Sequence, residues 1–221
     1  NTTPCLRRSS ALSGAKCVFV WSHDSVGVGE DGPTHQPVEQ VMSLRLIPDL
    51  TVIRPADGNE VAGAWKLAVE GNGPVAIITS RQATPTLQGT DSLALDGVAK
   101  GAYVLDGDDD PAVVLVGTGT EVAVASGAAR QLRSDGVAVS VVSMPTWECF
   151  EAQSDDYRSS VFPAGVPVVS VEAGVTTGWQ RWADASVGID RFGASAPGSI
   201  VMKELGITSD AVSRAARSLL S

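Results

Sequence analysis

Histidine is nearly absent from this sequence: its 221 residues contain two, beside three cysteines and 5% aromatic residues. No apolar run approaches the roughly 20 residues needed to cross a bilayer. No charged start leads into an apolar signal core and a small-residue cleavage site, so no membrane partner is expected. A block of Lys and Arg is also missing. With 16 basic against 25 acidic residues the net charge is −9, which repels nucleic acids and anionic membranes on average. No nucleic-acid partner is expected either, although one well-placed arginine suffices to bind a small anion. Cys5, Cys17 and Cys149 are odd in number and lack metal-ligand spacing. They read as buried thiols of a reducing compartment, the cytoplasm. The chain starts at Asn1 rather than Met, and the segment Asn1–Cys5 shows no clear period, which reads as a cut end.

Hydrophobic residues make up 43% of the chain, and they are arranged as short runs alternating with helix-period stretches. Cys17–Trp21, Thr51–Ile53, Val75–Thr79, Ala112–Val116, Ala138–Val142 and Val166–Val171 are β-branched and lack polar alternation, as expected of strands covered on both faces. Gln36–Leu44, Asn59–Glu70, Glu121–Ser134 and Ser209–Leu219 read as helices, the last capped by Thr208 or Ser209. This alternation predicts an α/β fold, with mostly parallel sheets flanked by helices. Composition changes over Leu87–Asp110, where Gly89–Ser92 is polar and Asp106–Asp110 reads as an acidic turn. A domain boundary is expected near residue 92, dividing the chain into 1–92 and 93–221. Gly101–Leu105 is then a candidate edge strand of the second domain.

Both histidines fall in one loop, His23-Asp-Ser-Val-Gly-Val-Gly-Glu-Asp-Gly-Pro-Thr-His35-Gln-Pro37. It follows a predicted strand and precedes a predicted helix, which is where open α/β sheets carry ligands. Gly27, Gly29 and Gly32 permit turns that residues with a Cβ resist. Composition alone leaves three readings: a surface loop, a metal site using two imidazoles and three carboxylates, or a substrate loop.

The run His23-Asp24-Ser25 through Gly29-Glu30-Asp31-Gly32-Pro33-Thr34-His35-Gln36-Pro37 resembles the signature of the transketolase family. Arg54-Pro55-Ala56-Asp57-Gly58-Asn59-Glu60 and Ser80-Arg81-Gln82 follow at similar separations, and the likeness continues in Ser143-Met144-Pro145, Val171-Glu172-Ala173-Gly174 and Asp190–Pro197. It runs from about Arg8 to the C-terminus. The resemblance implies the second half of a pyrimidine-binding domain at 1–92, followed by a compact transketolase C-terminal domain at 93–221. It also implies a reaction, the transfer of a two-carbon ketol unit from a ketose phosphate to an aldose phosphate. Thiamine diphosphate and Mg²⁺ serve as cofactors, and the intact enzyme is a homodimer. Carried over by position, His23 and Asp31 contact substrate hydroxyls, His35 helps move protons at the reacting centre, and Arg81 binds the sugar phosphate.

Other family features are missing from these residues. The diphosphate and Mg²⁺ motif of such enzymes is Gly-Asp-Gly followed later by Asn, whereas this chain has Asp106-Gly107-Asp108 in an acidic turn. The activating glutamate of the family also precedes the matched region, so these residues alone are expected to be inactive and to lack the cofactor. Thr2 stands where an aromatic residue of the cofactor pocket is usual, and Ser9 where an apolar one is. Gly117-Thr-Gly119-Thr-Glu121-Val122 imitates a dinucleotide fingerprint but has Val122 for the third glycine, and no acid ends the next strand. It reads as a tight strand-to-helix turn. Cys149, between Glu148 and Phe150, has nothing nearby to activate it. Dihydroxyacetone synthase is the nearest rival within the cofactor class. A non-catalytic binding module and a metal-dependent hydrolase are rivals outside it.

Overall fold

A computed structural model describes residues 3–221, so Thr2 and the side chain of Cys5 lie outside the described residues. The first unit contains α1 (Thr3–Leu12), β1 (Val18–Trp21), α2 (Gln40–Arg45), β2 (Thr51–Ile53), α3 (Gly58–Glu70) and β3 (Val75–Ile78). Its strands form a parallel sheet in the order β1-β3-β2. The sequence continues through α4 (Thr90–Lys100), β4 (Tyr103–Gly107), β5 (Val113–Gly117), α5 (Glu121–Ser134) and β6 (Val139–Ser143). Next come α6 (Trp147–Glu151), α7 (Asp155–Val161), β7 (Val168–Val171), β8 (Ala185–Val187), α8 (Gly198–Glu204) and α9 (Ser209–Leu220). The second sheet has the order β4-β6-β5-β7-β8, all parallel except the β4–β6 pair.

The elements form where local chemistry starts and stops them. Asp57 caps α3 by accepting from the backbone N–H groups of Asn59 and Glu60, and Thr208 caps α9 by accepting from that of Ala211. In the centre of the second sheet β5, β6 and β7 are buried along their whole lengths, as their unbroken apolar runs require. α5 and α9 pack on one face with Val113, Leu115, Val141 and Val169. Trp147, Phe150 and Trp179 pack on the other with Val114, Val116 and Val142.

Three expectations change. The Gln36–Leu44 helix begins only at Gln40, because Gln36 is used to hold the loop and the N–H of Val38 is taken by the Gln40 side chain. β1 is an edge strand rather than one covered on both faces, and its Val20 is 49% exposed. The polar stretch around residue 92 is not a linker but the first turn of α4, which lies along α3 and buries Ala94 and Val98. Its Thr90 donates to Asp57 at 2.7 Å and accepts from Asn59 at 2.9 Å. Asp106 and Asp108 serve as partners of Arg133, at 2.6 and 2.9 Å, tying β4 to α5.

Candidate active site

β1 delivers the chain to the loop at its carboxyl end. The backbone at His23 turns sharply, with φ 70°, a conformation unusual for a residue with a Cβ. Its ring is exposed, with Nδ1 2.7 Å from Ser22 Oγ. The turn sends the next side chain, Asp24, inward. Ser25 Oγ then accepts from the N–H of Gly27 and starts a buried 3-10 turn over Val26–Val28. Gly29 has φ 88°, and a Cβ there would lie 2.9 Å from the backbone nitrogen of Gly198. No other residue suits both demands.

The second domain grips this loop. Gln36 Nε2 donates to the carbonyls of Gly29 at 2.8 Å and Ala194 at 2.9 Å, and Ser195 Oγ donates to Glu30 O at 2.7 Å. His35 follows directly on the loop and is exposed, its Nδ1 3.1 Å from Thr34 Oγ1. Both histidines line one cleft of about 280 Å³, walled by Arg7 and the apolar side chains of Trp21, Val41, Leu44 and Ile78. A second cleft of about 580 Å³ lies between Pro33–Gln40 and Phe192, so His35 borders both. Asp31 and Arg81 are exposed and line neither. The fold thus brings His23 and His35 to one cleft, whose lining does not include Asp31 or Arg81.

Beneath the cleft lies a set of buried charges that periodicity did not reveal. Arg54 is 1% exposed. It donates to Asp24 Oδ2 through Nε at 3.1 Å and Nη2 at 2.8 Å, and through Nη1 to Glu121 Oε2 at 2.5 Å. Glu172 Oε1 is 3.5 Å from the same Nη1. Glu172 also takes a paired contact from Arg45, at 2.8 and 3.0 Å, and a hydrogen bond from Trp179 Nε1 at 2.7 Å. Arg45 in turn lies 4.2 Å over the Trp147 ring. Burial opposes the charge on Arg54, but Glu121, Asp24 and Glu172 outweigh it and hold the guanidinium protonated. Burial pushes Glu121 up against the pull of Arg54. At Glu172 burial is outweighed by Arg45 and Arg54, and the carboxyl is held below its usual range. The one legible signal was a charge placed directly after an apolar strand, as at Arg54 and Glu172.

The look-alike motifs are also resolved. Gly119, with φ 59°, would set a Cβ 2.8 Å from Arg54 Nε. The strand-to-helix turn therefore packs against Arg54, and the N–H of Gly119 donates to Arg54 O at 3.0 Å. Burial pushes the Cys149 thiol up, with Glu148 adding to the effect, so it is held as the unreactive thiol.

These residues do not suit the metal-bound diphosphate of thiamine diphosphate. Among the described residues no group of three His, Cys, Asp or Glu could hold a metal ion. The carboxylate nearest the cleft, Asp24, is 3% exposed and already bound to Arg54. The histidines and hydroxyls suit the polyol of a sugar, whose groups both donate and accept.

Residues 2–86 match the family described as the transketolase pyrimidine-binding domain, and residues 101–208 match the transketolase-like C-terminal domain. Transketolase 7 of Craterostigma plantagineum is 49% identical over 222 residues, covering 96% of this chain and 32% of its own length. The transketolase of Geobacillus stearothermophilus is 48% identical, with 96% and 33% covered. The solved transketolase of Leishmania mexicana superposes with a TM-score of 0.93 at 48% identity, over 96% of this chain and 31% of that one. A Pichia stipitis transketolase solved in complex with a sedoheptulose phosphate reaches 0.91 at 40% identity, with the same coverage. The chain spans about a third of the length of the curated relatives it matches. Over both of its α/β units, this chain belongs to the transketolase family.

Proposed function

We propose that these residues form the substrate-facing part of an enzyme that moves a two-carbon ketol unit from a ketose phosphate to an aldose phosphate. The observation that carries this reading is the meeting of His23 and His35 in one cleft at the carboxyl end of β1. In the intact enzyme, a cytoplasmic homodimer on this reading, thiamine diphosphate with Mg²⁺ would supply the electron sink. Regions beyond 1–92 and 93–221 would hold it. The roles left to this chain are binding and proton handling. His23 and Asp31 hydrogen-bond substrate hydroxyls, His35 moves a proton at the reacting carbons, and Arg81 holds the phosphate with its planar donor fork.

A two-by-two kinetic comparison in the full-length protein tests the division of labour. Arg81→Ala should raise KM for phosphorylated sugars by roughly 10- to 150-fold, the cost of one charged hydrogen bond of about 1.5–3 kcal/mol. Unphosphorylated sugars should lose much less. His35→Ala should depress kcat for both kinds alike, because proton movement does not depend on the phosphate. Equal losses for Arg81→Ala on both substrate kinds would remove its phosphate role, and an unchanged kcat in His35→Ala would make that histidine structural.

A further inference from the structure

The block Arg54–Glu60 resembles its family counterpart yet faces neither cleft. Arg54, Asp57 and Glu60 are all buried, and none of them bonds a histidine side chain directly. Two of them, Glu60 and Arg54, also reach the second domain. Glu60 accepts from Tyr103 Oη at 2.8 Å and from Ser143 Oγ at 2.5 Å, both in the second sheet. Arg54 reaches further, to Glu121 at the start of α5 and Glu172 at the end of β7.

Both ends of the histidine loop hang on these contacts. At its start, Asp24 is held through two nitrogens of Arg54, one residue beyond the strained backbone of His23. At its end, α2 follows His35, and its Arg45 is fastened to Glu172 by a paired contact. The two anchors therefore converge on one carboxylate of the second domain. A non-glycine residue at φ 70° costs on the order of 1–3 kcal/mol and persists only where its surroundings fix it. Asp24 provides that fixing: if it left Arg54, His23 could relax to negative φ and carry its ring out of the cleft.

We propose that the second domain sets the shape of the substrate loop, with Arg54 as the positioning residue that passes the placement of Glu121 and Glu172 to Asp24 and so to His23. Arg54 touches no substrate on this reading. Its effect on the reaction runs through another side chain, and the inference rests on His23 facing substrate as proposed above.

A double-mutant cycle in the full-length protein tests the link. Glu121 is fully buried and does not line the cleft, so Glu121→Gln removes a negative charge beside Arg54 without touching His23. It should lower kcat/KM about tenfold to a hundredfold, the scale of a misplaced reacting group. In a His23→Ala background the same substitution should cost less than about twofold, since the residue it places is gone. Leu132→Ala, on the same helix α5 and equally buried, controls for lost stability. At a temperature where it is folded, it should change kcat/KM less than about twofold in either background. Additive losses for Glu121→Gln and His23→Ala would overturn the proposal. If Glu121→Gln does not fold, Glu172→Gln takes its place in the same cycle. A crystal structure of the folded variant reads the link without activity. His23 should have left positive φ, and a His23 still at about 70° would overturn the proposal. Should His23→Ala prove as active as the parent, the substrate role of His23 fails, and the crystal structure still decides whether Arg54 places it.

Discussion

Replacing Arg54 by Met should be among the most damaging single changes this chain can suffer. The substitution keeps most of the apolar stem and removes the cation that, among the described residues, touches both Asp24 and Glu121. Glu172 keeps Arg45 and Trp179, so two carboxylates are stranded rather than three. Among the described residues Asp24 retains the hydroxyl of Ser25, and Glu121 retains Thr120 and the N–H of Ala173. Removing one partner of a buried ion pair typically costs about 3–5 kcal/mol. For a chain of this size each kcal/mol lowers the melting temperature by about 2–4 °C, so the expected fall is roughly 6–20 °C at pH 7. The loss should depend on pH in a defined sense. Without the guanidinium, the buried carboxylates are driven to bind protons, so the folded variant holds more protons than its unfolded state. Its stability then falls as pH rises. The gap from the parent should widen from pH 4.5 to pH 7 in thermal unfolding followed by circular dichroism. Arg54→Lys keeps the charge but loses the fork, and should fall between Met and the parent. A loss for Arg54→Met that is the same at both pH values, or smaller than about 1 kcal/mol, would refute the electrostatic reasoning.

Glu60→Gln should leave a folded protein, because the amide can turn its oxygen to the N–H of Ala56 and donate to the rotatable hydroxyls of Tyr103 and Ser143. Burial lifts the Glu60 carboxyl above its usual range. Its contribution is therefore fully present below the ordinary carboxylate pKa and is lost as pH rises through the raised value. Melting curves should show Glu60→Gln gaining on the parent with increasing pH, and a constant difference would contradict this. Gly119→Ala combines positive φ with a Cβ 2.8 Å from the buried Arg54 Nε; it should cost at least about 1–2 kcal/mol in denaturant unfolding, and a neutral result would show that Arg54 can move. The 221 residues alone should show no ketol transfer in a coupled assay with xylulose 5-phosphate and ribose 5-phosphate, and turnover at an ordinary enzymatic rate would place the diphosphate site within them.

The parts of the fold that could be read from the sequence are those fixed by local pattern. β2 and α5 coincide with the expected ranges Thr51–Ile53 and Glu121–Ser134, and the other expected strands differ by one or two residues at their ends. Buried parallel strands announce themselves as apolar runs, and α5 carries enough helical period to stand alone. The first turn of α4 was hidden because the hydroxyl of its Thr90 serves Asp57 and Asn59, 33 and 31 residues away, a partnership that no window can show. β8, only three residues long and half-buried, has no pattern to read. The site divides in the same way. The histidine loop stood out because both histidines share it, whereas Arg54 looked like one more residue in a matching block. Its role depends on Asp24, Glu121 and Glu172, which lie 30, 67 and 118 residues away.

That hidden partnership also explains why charge rather than apolar surface fills the junction. Well-packed hydrophobic residues of similar volume are often as stabilising as a buried ion pair, or more so. Stability alone therefore does not account for two guanidiniums and three carboxylates beneath the cleft. What they supply is selectivity of placement. An apolar junction can slide by an ångström at little cost, since dispersion contacts are many and individually weak. A guanidinium fork bonded to Asp24 on one side and Glu121 on the other cannot, because any slip leaves a charge unpaired in a dry site. The imidazole of His23 must be held to within about half an ångström if it is to act on a reacting sugar. A junction that tolerates no slip, set one residue from that imidazole, meets this demand. On this view the charges beneath the cleft are the means by which a domain that lines little of it still governs its shape.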